Sequence, residues 1–190
     1  MKKLLHIGIA CSSETDVGEV ATAAVASFSE ELAKYRDQAV LLTGGTSGLM
    51  TLASRIFSEA GGITVGFVPV EHEMMNENSS ERNSFNVIEI RTGLTYQQRS
   101  VPLVRSSDSF VVLGGRAGTI IEAYMAYLNL IPTVILRGTG LDSDLLLKEH
   151  EYLDGRKLNR FSITEDPVEA ARLAIRMART HILRDGPQPG

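Results

Sequence analysis

The sequence predicts an α/β protein built on a doubly wound, Rossmann-like and mostly parallel sheet of six or seven strands, with helices on both faces. Short apolar runs alternate with helical patterns along almost all of the 190 residues, and parallel strands need such crossover helices between them. Several runs are apolar at nearly every position, which is typical of parallel strands covered on both faces. No internal repeat or linker interrupts the alternation, so we expect a single domain at residues 1–184 and a flexible tail at 185–190.

The first half of the chain contains four predicted strands and two predicted helices. In order, these are strand Leu4–Ala10, helix Asp16–Arg36, strand Ala39–Thr43, a helix between Gly48 and Gly61, strand Ile63–Val68 and strand Val87–Ile90. Asp16 stands three residues before Glu19, a capping box that predicts the start of the first helix. Residues 71–86 are rich in Asn, Ser and Glu, and we expect a functional or mobile loop there.

The second half continues the alternation to the end of the predicted domain. In order, its elements are helix Tyr96–Ser106, strand Ser109–Leu113, helix Thr119–Leu130, strand Thr133–Leu136, helix Asp144–Tyr152, strand Phe161–Thr164 and a last helix. Pro102 is expected to lie in the first turn of its helix or to kink that helix. The last helix has a clear start, with Asp166 as N-cap, Pro167 at the first helical position and Glu169 completing a capping box.

Composition excludes several classes of protein. A formal net charge of -4 argues against binding to a nucleic-acid backbone, which normally requires a basic surface, and no apolar run approaches the roughly 20 residues that span a bilayer. The lone cysteine, Cys11, excludes an internal disulfide and is interpreted as a small buried thiol in a reducing cytoplasm. The four histidines lack metal-ligand spacing, so we expect no metal site. We therefore expect a cytoplasmic protein that binds a small molecule, without nucleic-acid or membrane partners.

Two clusters of glycine follow predicted strands and precede predicted helices. They are Thr43-Gly44-Gly45-Thr46-Ser47-Gly48 and Gly114-Gly115-Arg116-Ala117-Gly118-Thr119. Glycine lets a backbone approach a ligand closely, while the free N–H groups and the dipole of a helix N-terminus favour an anion. Neither cluster has the G-x-G-x-x-G spacing of a dinucleotide site or the Gly-Lys-Ser/Thr of an ATP-binding loop. Together they predict a phosphate site at the carboxyl edge of the sheet.

An acid and a cation are expected at the same edge of the sheet. Glu122 comes three residues after Thr119 and, taken alone, is interpreted as an acid in the first turn of a helix that interacts with the helix dipole. Arg99, taken alone, is interpreted as a solvated helix arginine. Beside the two glycine clusters, however, these residues would complete a crevice with an anion cradle, a carboxylate and a guanidinium.

Several of these residues stand at a characteristic spacing along the chain. They are Arg99, Ser107-Asp108, the run Gly115-x-x-Gly118-Thr119-x-x-Glu122, and the turn Gly44-Gly45-Thr46-Ser47-Gly48-Leu49-Met50. This pattern resembles the LOG family, which has Pro-Gly-Gly-x-Gly-Thr-x-x-Glu after an upstream Arg-Lys, and a Gly-Gly-Gly-x-x-Gly-Leu-Met turn one residue longer than the turn here. LOG proteins are cytokinin-activating nucleoside 5'-monophosphate phosphoribohydrolases, often misnamed lysine decarboxylases. The resemblance extends from about Ile7 to Leu136.

The departures from the family pattern are local. Gly114 replaces the proline, Arg116 the second glycine, Ser100 the lysine after the arginine, and Ile121 the acid before Glu122. Arg116 could offer its guanidinium to a phosphate, or its bulk could occupy the site. These changes concern substrate specificity more than the fold, and they indicate a divergent member of the family.

The resemblance implies hydrolysis of the N-glycosidic bond of a nucleoside 5'-monophosphate, which releases the base and ribose 5-phosphate. Glu122 would stabilise the oxocarbenium-like transition state and position or activate water, and Arg99 would orient this glutamate and the ribose or assist the departing base. The expected phosphate or nucleotide contacts are Ser12, Ser13, Gly45, Thr46, Ser47, Gly115, Arg116, Ala117, Gly118 and Thr119. No cofactor is expected, and no lysine lies in the predicted crevice to form the Schiff base of a pyridoxal-phosphate decarboxylase.

A binding protein of the same fold is the main alternative. Relatives of this fold include molybdenum-cofactor carriers and nucleotide sensors, which bind phosphorylated ligands without turnover. Retention of Arg99 and Glu122 favours the enzyme, whereas Arg116 in the glycine turn favours the carrier or sensor. The resemblance also implies a homodimer, although core packing explains the apolar residues of the expected interface almost as well. These interface candidates are Tyr124, Met125, Tyr127 and Leu128.

Overall fold

The computed structural model describes residues 3–75, 79, 82–146 and 152–185. Its strands are β1 (Leu5–Ala10), β2 (Ala39–Thr43), β3 (Ile63–Val68), β4 (Ile88–Arg91), β5 (Ser109–Val112), β6 (Thr133–Leu136) and β7 (Ser162–Thr164). Its α-helices are α1 (Glu19–Ala33), α2 (Leu49–Glu59), α3 (Val70–Glu73), α4 (Ser100–Arg105), α5 (Ala117–Leu128) and α6 (Pro167–Asp185). A 3-10 helix spans Asp142–Leu145 between β6 and β7.

The strands form one seven-stranded sheet in the order β4-β3-β2-β1-β5-β6-β7. Every neighbouring pair is parallel, so the predicted α/β fold with a Rossmann-like sheet is confirmed. The chain adds β2, β3 and β4 on one side of β1 and then crosses to add β5 on its other side. Ligands of such sheets bind outside the carboxyl ends of the strands at this reversal, and the loops after β1, β2 and β5 meet there.

Helices cover both faces of the sheet, as the apolar strands predict. On one face α1 and α2 contribute Phe28 and Phe57, which have no exposed surface, to a core that also includes α6. On the other face Leu103 of α4 and Ala126 of α5 pack against Phe110 of β5. Burying an aromatic or leucine side chain of this kind stabilises the fold by about 1.5–3 kcal/mol, so these contacts hold the carboxyl-end loops in a defined position.

The first helix begins later than predicted. Gly18, with a φ of 84°, occupies the N-cap position of α1, which begins at Glu19. Among the described residues no side chain caps this helix, so the predicted capping box of Asp16 and Glu19 is wrong. Glycine adopts a positive φ without steric cost, and this turn at Gly18 leaves Asp16 outside the helix.

The last helix has the predicted N-cap but not the complete box. The Oδ1 atom of Asp166 accepts a hydrogen bond from the backbone N–H of Val168 at 2.8 Å, as expected of an N-cap. Glu169 instead accepts a hydrogen bond from Arg176, and the N–H of Asp166 donates to Thr164 Oγ1. None of the described helices, α6 included, combines the length and apolar character that crossing a membrane would require.

Two predicted helices differ in extent from the observed elements. The residues from Tyr96 to Arg99 form turns, so α4 begins at Ser100. Pro102 lies in its first turn, as predicted, where a missing N–H leaves no helical hydrogen bond unmade. The predicted helix Asp144–Tyr152 overlaps the 3-10 helix at its start, while residues 147–151 lie outside the described residues.

A single helical turn occupies the start of the predicted loop at 71–86. Pro69 precedes this turn, α3, in an extended conformation. Of the same loop, residues 76–78, 80 and 81 lie outside the described residues, as does the predicted tail from 186 to 190.

A buried carboxylate joins the first and last helices. Glu31 of α1 is only 4% exposed and accepts hydrogen bonds from Lys34 Nζ at 2.5 Å and from Arg172 Nε of α6 at 2.9 Å. These two cationic donors lower the pKa of Glu31 below its ordinary value. The folded protein therefore holds Glu31 ionised at a pH where the unfolded chain binds a proton.

We expect this carboxylate to make the free energy of unfolding depend on pH. A lowered pKa in the folded state gives stabilisation that is present above the ordinary value of 4.5 and is lost as the pH falls through the folded value. Urea unfolding from about pH 6 down to about pH 3 measures this fall.

The fall should be smaller in Glu31→Gln, which has no proton to gain. The matched control is Glu30→Gln, an exposed neighbour on the same helix, which retains Glu31 and with it the steep fall. Equal slopes in the native protein and in Glu31→Gln would contradict this account.

Candidate functional site

A cleft lies at the carboxyl edge of the sheet, where the strand order reverses. It has a volume of about 180 Å³ and is bounded by the loops after β1, β2 and β5 and by the turn before α4. The predicted site residues that line it are Ser12, Ser13, Thr46, Arg99, Arg116, Gly118, Thr119 and Glu122. The rest of the lining consists of Cys11, Glu14, Met50, Tyr96, Gln97, Ser100 and Ile121.

Arg99 and Glu122 form a buried ion pair in this cleft. Arg99 Nη1 lies 2.9 Å from Glu122 Oε1, and the two side chains are only 9% and 8% exposed. The Ser100 hydroxyl donates a second hydrogen bond to the same oxygen at 2.7 Å. Because its side chain is buried, Arg99 is not a solvated helix arginine. It is the counter-ion and one of the hydrogen-bond donors that a buried carboxylate needs to offset its lost hydration.

Glu122 lies deeper in its helix than predicted. α5 begins at Ala117 rather than Thr119, which places Glu122 in the second turn, beyond the strong part of the helix dipole. The structure thus corrects the interpretation of Glu122 as a first-turn acid. Oε1 accepts both hydrogen bonds, and none of the described residues donates to Oε2, so this second oxygen can meet a ligand.

The N-terminus of α5 offers unpaired amides beside the ion pair. The first helical hydrogen bond runs from the N–H of Ile120 to the carbonyl of Arg116 at 3.1 Å, so the amides of residues 117–119 have no acceptor within the helix. A Cβ on Gly118 would meet none of the described atoms within 4 Å, which shows open space there. Thr119, 5% exposed, also lines the cleft. Such a helix end is suited to an anion.

Gly115 is engaged by the protein itself. Its N–H donates to Ser143 Oγ at 3.0 Å, and its carbonyl accepts from the N–H of Ser143 at 2.9 Å. The adjacent Gly114 carbonyl accepts from the N–H of Ser12 at 2.9 Å. In this arrangement the amide of Gly115 already has an acceptor and Gly115 does not line the cleft, so its contact with a phosphate stays a prediction. Ser143 lies 28 residues away in sequence, and no local pattern indicates this bond.

Three other expected contacts lie outside the cleft lining. Gly45 donates its N–H to Thr43 Oγ1 at 3.1 Å and accepts from Asn86 Nδ2, which turns it toward β3. The Ser47 hydroxyl donates to the carbonyl of Ser13 at 2.9 Å, so it ties the β2 loop to the β1 loop. Ala117 is exposed at the start of α5 and contributes only its amide to that edge.

Arg116 lies at the rim of the cleft. Its Nη2 atom is 3.1 Å from Glu14 Oε2, and these side chains are 63% and 48% exposed. The guanidinium therefore does not fill the interior of the site. Of the two roles considered for Arg116, occupation of the site by its bulk is not what the structure shows. An exposed ion pair of this kind is worth about 0–1 kcal/mol, so its partner is easily exchanged.

Cys11 forms part of the cleft floor as a neutral thiol. Burial raises the pKa of Cys11 far above its ordinary value, and the nearby Glu122 carboxylate raises it further, while Arg99 lowers it. This agrees with the interpretation of Cys11 as a small buried thiol. The described residues contain no group of three His, Cys, Asp or Glu side chains placed to hold a metal ion.

Some cleft residues were not predicted, and several of them come from the segments that flank the motifs. Tyr96 and Gln97 lie three and two residues before Arg99, and Met50 follows the first glycine cluster, so proximity to the motifs was the available signal. The hydroxyl of Tyr96 contacts Nε2 of the buried His72, which fixes this side of the cleft mouth.

The Ser107-Asp108 pair of the resemblance is distant from the cleft. Asp108 accepts a hydrogen bond from the N–H of His6 at 2.8 Å, and Ser107 donates to the carbonyl of Leu103. Both residues precede β5, at the amino end of the sheet, and there they join β5 and α4 to β1.

The sequence is similar to a family model and to curated relatives. A model described as the SLOG cluster4 family matches residues 4–169. An uncharacterized protein of Archaeoglobus fulgidus is 30% identical over 142 residues, which cover 72% of this chain and 86% of that protein. Cytokinin riboside 5'-monophosphate phosphoribohydrolase LOG5 of Arabidopsis thaliana is 30% identical over 117 residues, or 62% of this chain. The match covers 49% of LOG5, so the chain spans about half the length of that relative.

Solved structures show the same fold over nearly the whole chain. The X-ray structure of TM1055 has a TM-score of 0.78 at 29% identity and covers 91% of this chain and 99% of that one. The molybdenum cofactor carrier protein MCP from Chlamydomonas reinhardtii has a TM-score of 0.70 at 25% identity, with 94% and 99% covered.

Proposed function

The chain belongs to the SLOG cluster4 family, as a divergent relative of the LOG proteins, and from this premise we propose that it is a nucleoside 5'-monophosphate phosphoribohydrolase. The reaction is hydrolysis of the N-glycosidic bond to the free base and ribose 5-phosphate. The observation that carries the proposal is the buried Arg99–Glu122 ion pair, which lies in a cleft beside the open N-terminus of α5.

The phosphate binds at the N-terminus of α5 in this proposal. The unpaired amides of residues 117–119 and the hydroxyl of Thr119 offer hydrogen bonds, and the helix dipole favours the negative charge. Arg116 exchanges its exposed partner Glu14 for the phosphate, because a doubly charged anion is the better acceptor for a guanidinium.

Glu122 acts on the bond between the ribose and the base. As that bond breaks, its electron pair leaves with the base and positive charge develops on the ribose ring. The water oxygen bonds to the ribose carbon, while the carboxylate of Glu122 stabilises the charge and accepts a proton from this water through Oε2. The departing base takes up a proton from solvent and leaves as the free base. The free Oε2 oxygen and the two donors on Oε1 support this division between the two oxygens.

Arg99 and Ser100 set the orientation of the carboxylate. Their hydrogen bonds to Oε1 hold it in one rotamer and leave the other oxygen available to a ligand without reorganisation during the reaction. Ser100 thus supplies a hydrogen bond where the LOG pattern has a lysine.

The test is a panel of AMP, GMP, CMP and UMP, with the matching nucleosides as controls. We expect free base from at least one monophosphate and much slower release from its nucleoside, because the nucleoside lacks the group that α5 binds. A panel in which no monophosphate is cleaved, under conditions where calorimetry shows binding, would refute the proposed reaction.

A carrier that binds a phosphorylated ligand without turnover is the second candidate. It is favoured by the similarity to the carrier MCP over 94% of this chain and by Arg116 in the glycine turn. The same panel separates the two functions, because a carrier binds tightly and releases no base.

A homodimer through the outer face of α5 is part of the proposal. Ile121, Tyr124 and Leu128 are 42%, 47% and 54% exposed and share one helix face by their spacing of three and four residues. Val101 of the neighbouring α4 is 45% exposed. Tyr127 does not belong to this face, since it is 1% exposed and stacks on Phe161.

We expect Tyr124→Asp to shift the protein from dimer to monomer, because it places a charge in the centre of an apolar contact. Sedimentation velocity at micromolar concentration measures the change. The control is Val20→Asp, at an exposed valine of α1, which should leave the dimer intact. A native protein that sediments as a monomer would contradict the proposed interface.

A further inference from the structure

The bare Cα of Gly44 lies against the guanidinium of Arg99. A Cβ built on Gly44 would lie within 2.5 Å of Nη1, Cζ and Nη2 of that side chain. Because these three atoms are nearly equidistant from it, the missing methyl group would sit over the face of the guanidinium rather than at its edge. Ordinary van der Waals contact begins at 3.4 Å, so Arg99 would have to move by about 1 Å to accommodate alanine.

The backbone gives no other reason for a glycine at this position. The neighbouring Gly45 and Gly48 have φ values of 73° and 72°, where a side chain is strained, whereas Gly44 is not among the described glycines with positive φ. Alanine could adopt the backbone conformation of Gly44. The absent side chain is therefore explained by the close approach of Arg99.

A shift of this size would misalign the ion pair. Arg99 holds Glu122 through Nη1 at 2.9 Å, and a displacement of about 1 Å perpendicular to the guanidinium plane moves the N–H out of line with Oε1 and weakens that hydrogen bond. Arg99 Nε is buried and has no acceptor among the described residues, so no bond from Nε restrains the guanidinium. The position of the guanidinium therefore depends on its hydrogen bond to Glu122 and on its contact with Gly44.

We propose that Gly44 is a positioning residue. Because Gly44 has no side chain, the Arg99 guanidinium can pack against its Cα and stay aligned with the Glu122 carboxylate. This inference deepens the proposed function and rests on it, because it assigns the β2 loop a part in aligning the two catalytic groups. It also gives the first glycine cluster a role other than contact with a phosphate.

The first test is the steady-state kinetics of Gly44→Ala on the monophosphate that the native protein cleaves. We expect kcat to fall about 100-fold, the loss that a misplacement of about 1 Å can cause. The KM should change little, because the amides of residues 117–119 remain in place. The control is Gly155→Ala, where an added Cβ meets none of the described atoms within 4 Å and φ is not positive, and its kcat should equal the native value. A native kcat in Gly44→Ala would overturn the proposal.

The second test does not depend on activity. Urea unfolding measures the effect of Gly44→Ala on stability in the native background and in Arg99→Lys. The lysine ammonium is smaller than the guanidinium, so it can avoid a clash with the new methyl group. We expect the unfolding midpoint to fall in the native background and to stay unchanged in Arg99→Lys. An equal fall of the unfolding midpoint in both backgrounds would overturn the positioning role of Gly44. If the effect of Gly44→Ala on stability depends on Arg99 but the native protein cleaves no monophosphate, the proposed function fails and the positioning role of Gly44 stands.

Discussion

Replacing Glu122 with glutamine is expected to slow the proposed hydrolysis of a nucleoside monophosphate about 1000-fold while leaving the affinity for that nucleotide nearly unchanged. Glutamine has almost the same shape, and its amide oxygen can still accept hydrogen bonds from Arg99 and Ser100. It has neither the negative charge that stabilises an oxocarbenium-like transition state nor the basicity to accept a proton from water. Single-turnover release of base measures the rate, and calorimetry measures binding.

The control for this substitution is Glu19→Gln, at an exposed acid at the start of α1 and outside the cleft. Its rate should equal that of the native protein. A Glu122→Gln variant that keeps the native rate would exclude Glu122 from the reaction, and one that loses ligand binding as well would show that the carboxylate serves to assemble the site.

The second large effect is on stability. We expect Arg99→Met to lower the free energy of unfolding by about 3 kcal/mol, because it leaves the Glu122 carboxylate buried without its counter-ion. Both side chains are more than nine-tenths buried, so solvent does little to screen the lost attraction. Urea unfolding measured by circular dichroism gives the value.

A double-mutant cycle of Arg99→Met, Glu122→Met and the combined variant isolates the pair from the rest of the site. The combined Arg99→Met/Glu122→Met variant should be more stable than Arg99→Met alone, since it removes the stranded charge and fills the space with apolar atoms. Arg116→Met is the matched control: its ion pair with Glu14 is exposed, and its loss should cost less than about 1 kcal/mol. Similar losses for Arg99→Met and Arg116→Met would show that burial does not govern the pair.

The alternation of apolar strands and helical patterns was sufficient to predict the sheet. Runs such as Ala39–Thr43 and Thr133–Leu136 coincide with β2 and β6, because strands buried on both faces must be apolar throughout. The errors lie mainly at helix starts, which depend on the conformation of single residues. At Gly18 a positive φ leaves the predicted cap, Asp16, outside the helix.

The candidate site could be predicted in part for a similar reason. The glycine clusters follow β2 and β5, and in a parallel sheet the carboxyl ends of all strands share one edge, so topology alone brings those loops together. Arg99 and Glu122 were identified by spacing and resemblance. Their direct contact depends on how α4 packs against α5, which the spacing does not encode.

Local sequence thus accounts for the parallel α/β sheet, the glycine loops at its carboxyl edge and the identity of the acid and the arginine there. Tertiary packing accounts for what each loop can do. The hydroxyl of Ser143 accepts the hydrogen bond of the Gly115 amide, whereas the amides of residues 117–119 stay open, and the bare Cα of Gly44 packs against Arg99. The physical reason is range: periodicity and turn chemistry act over a few residues, whereas these contacts join groups 28 and 55 positions apart.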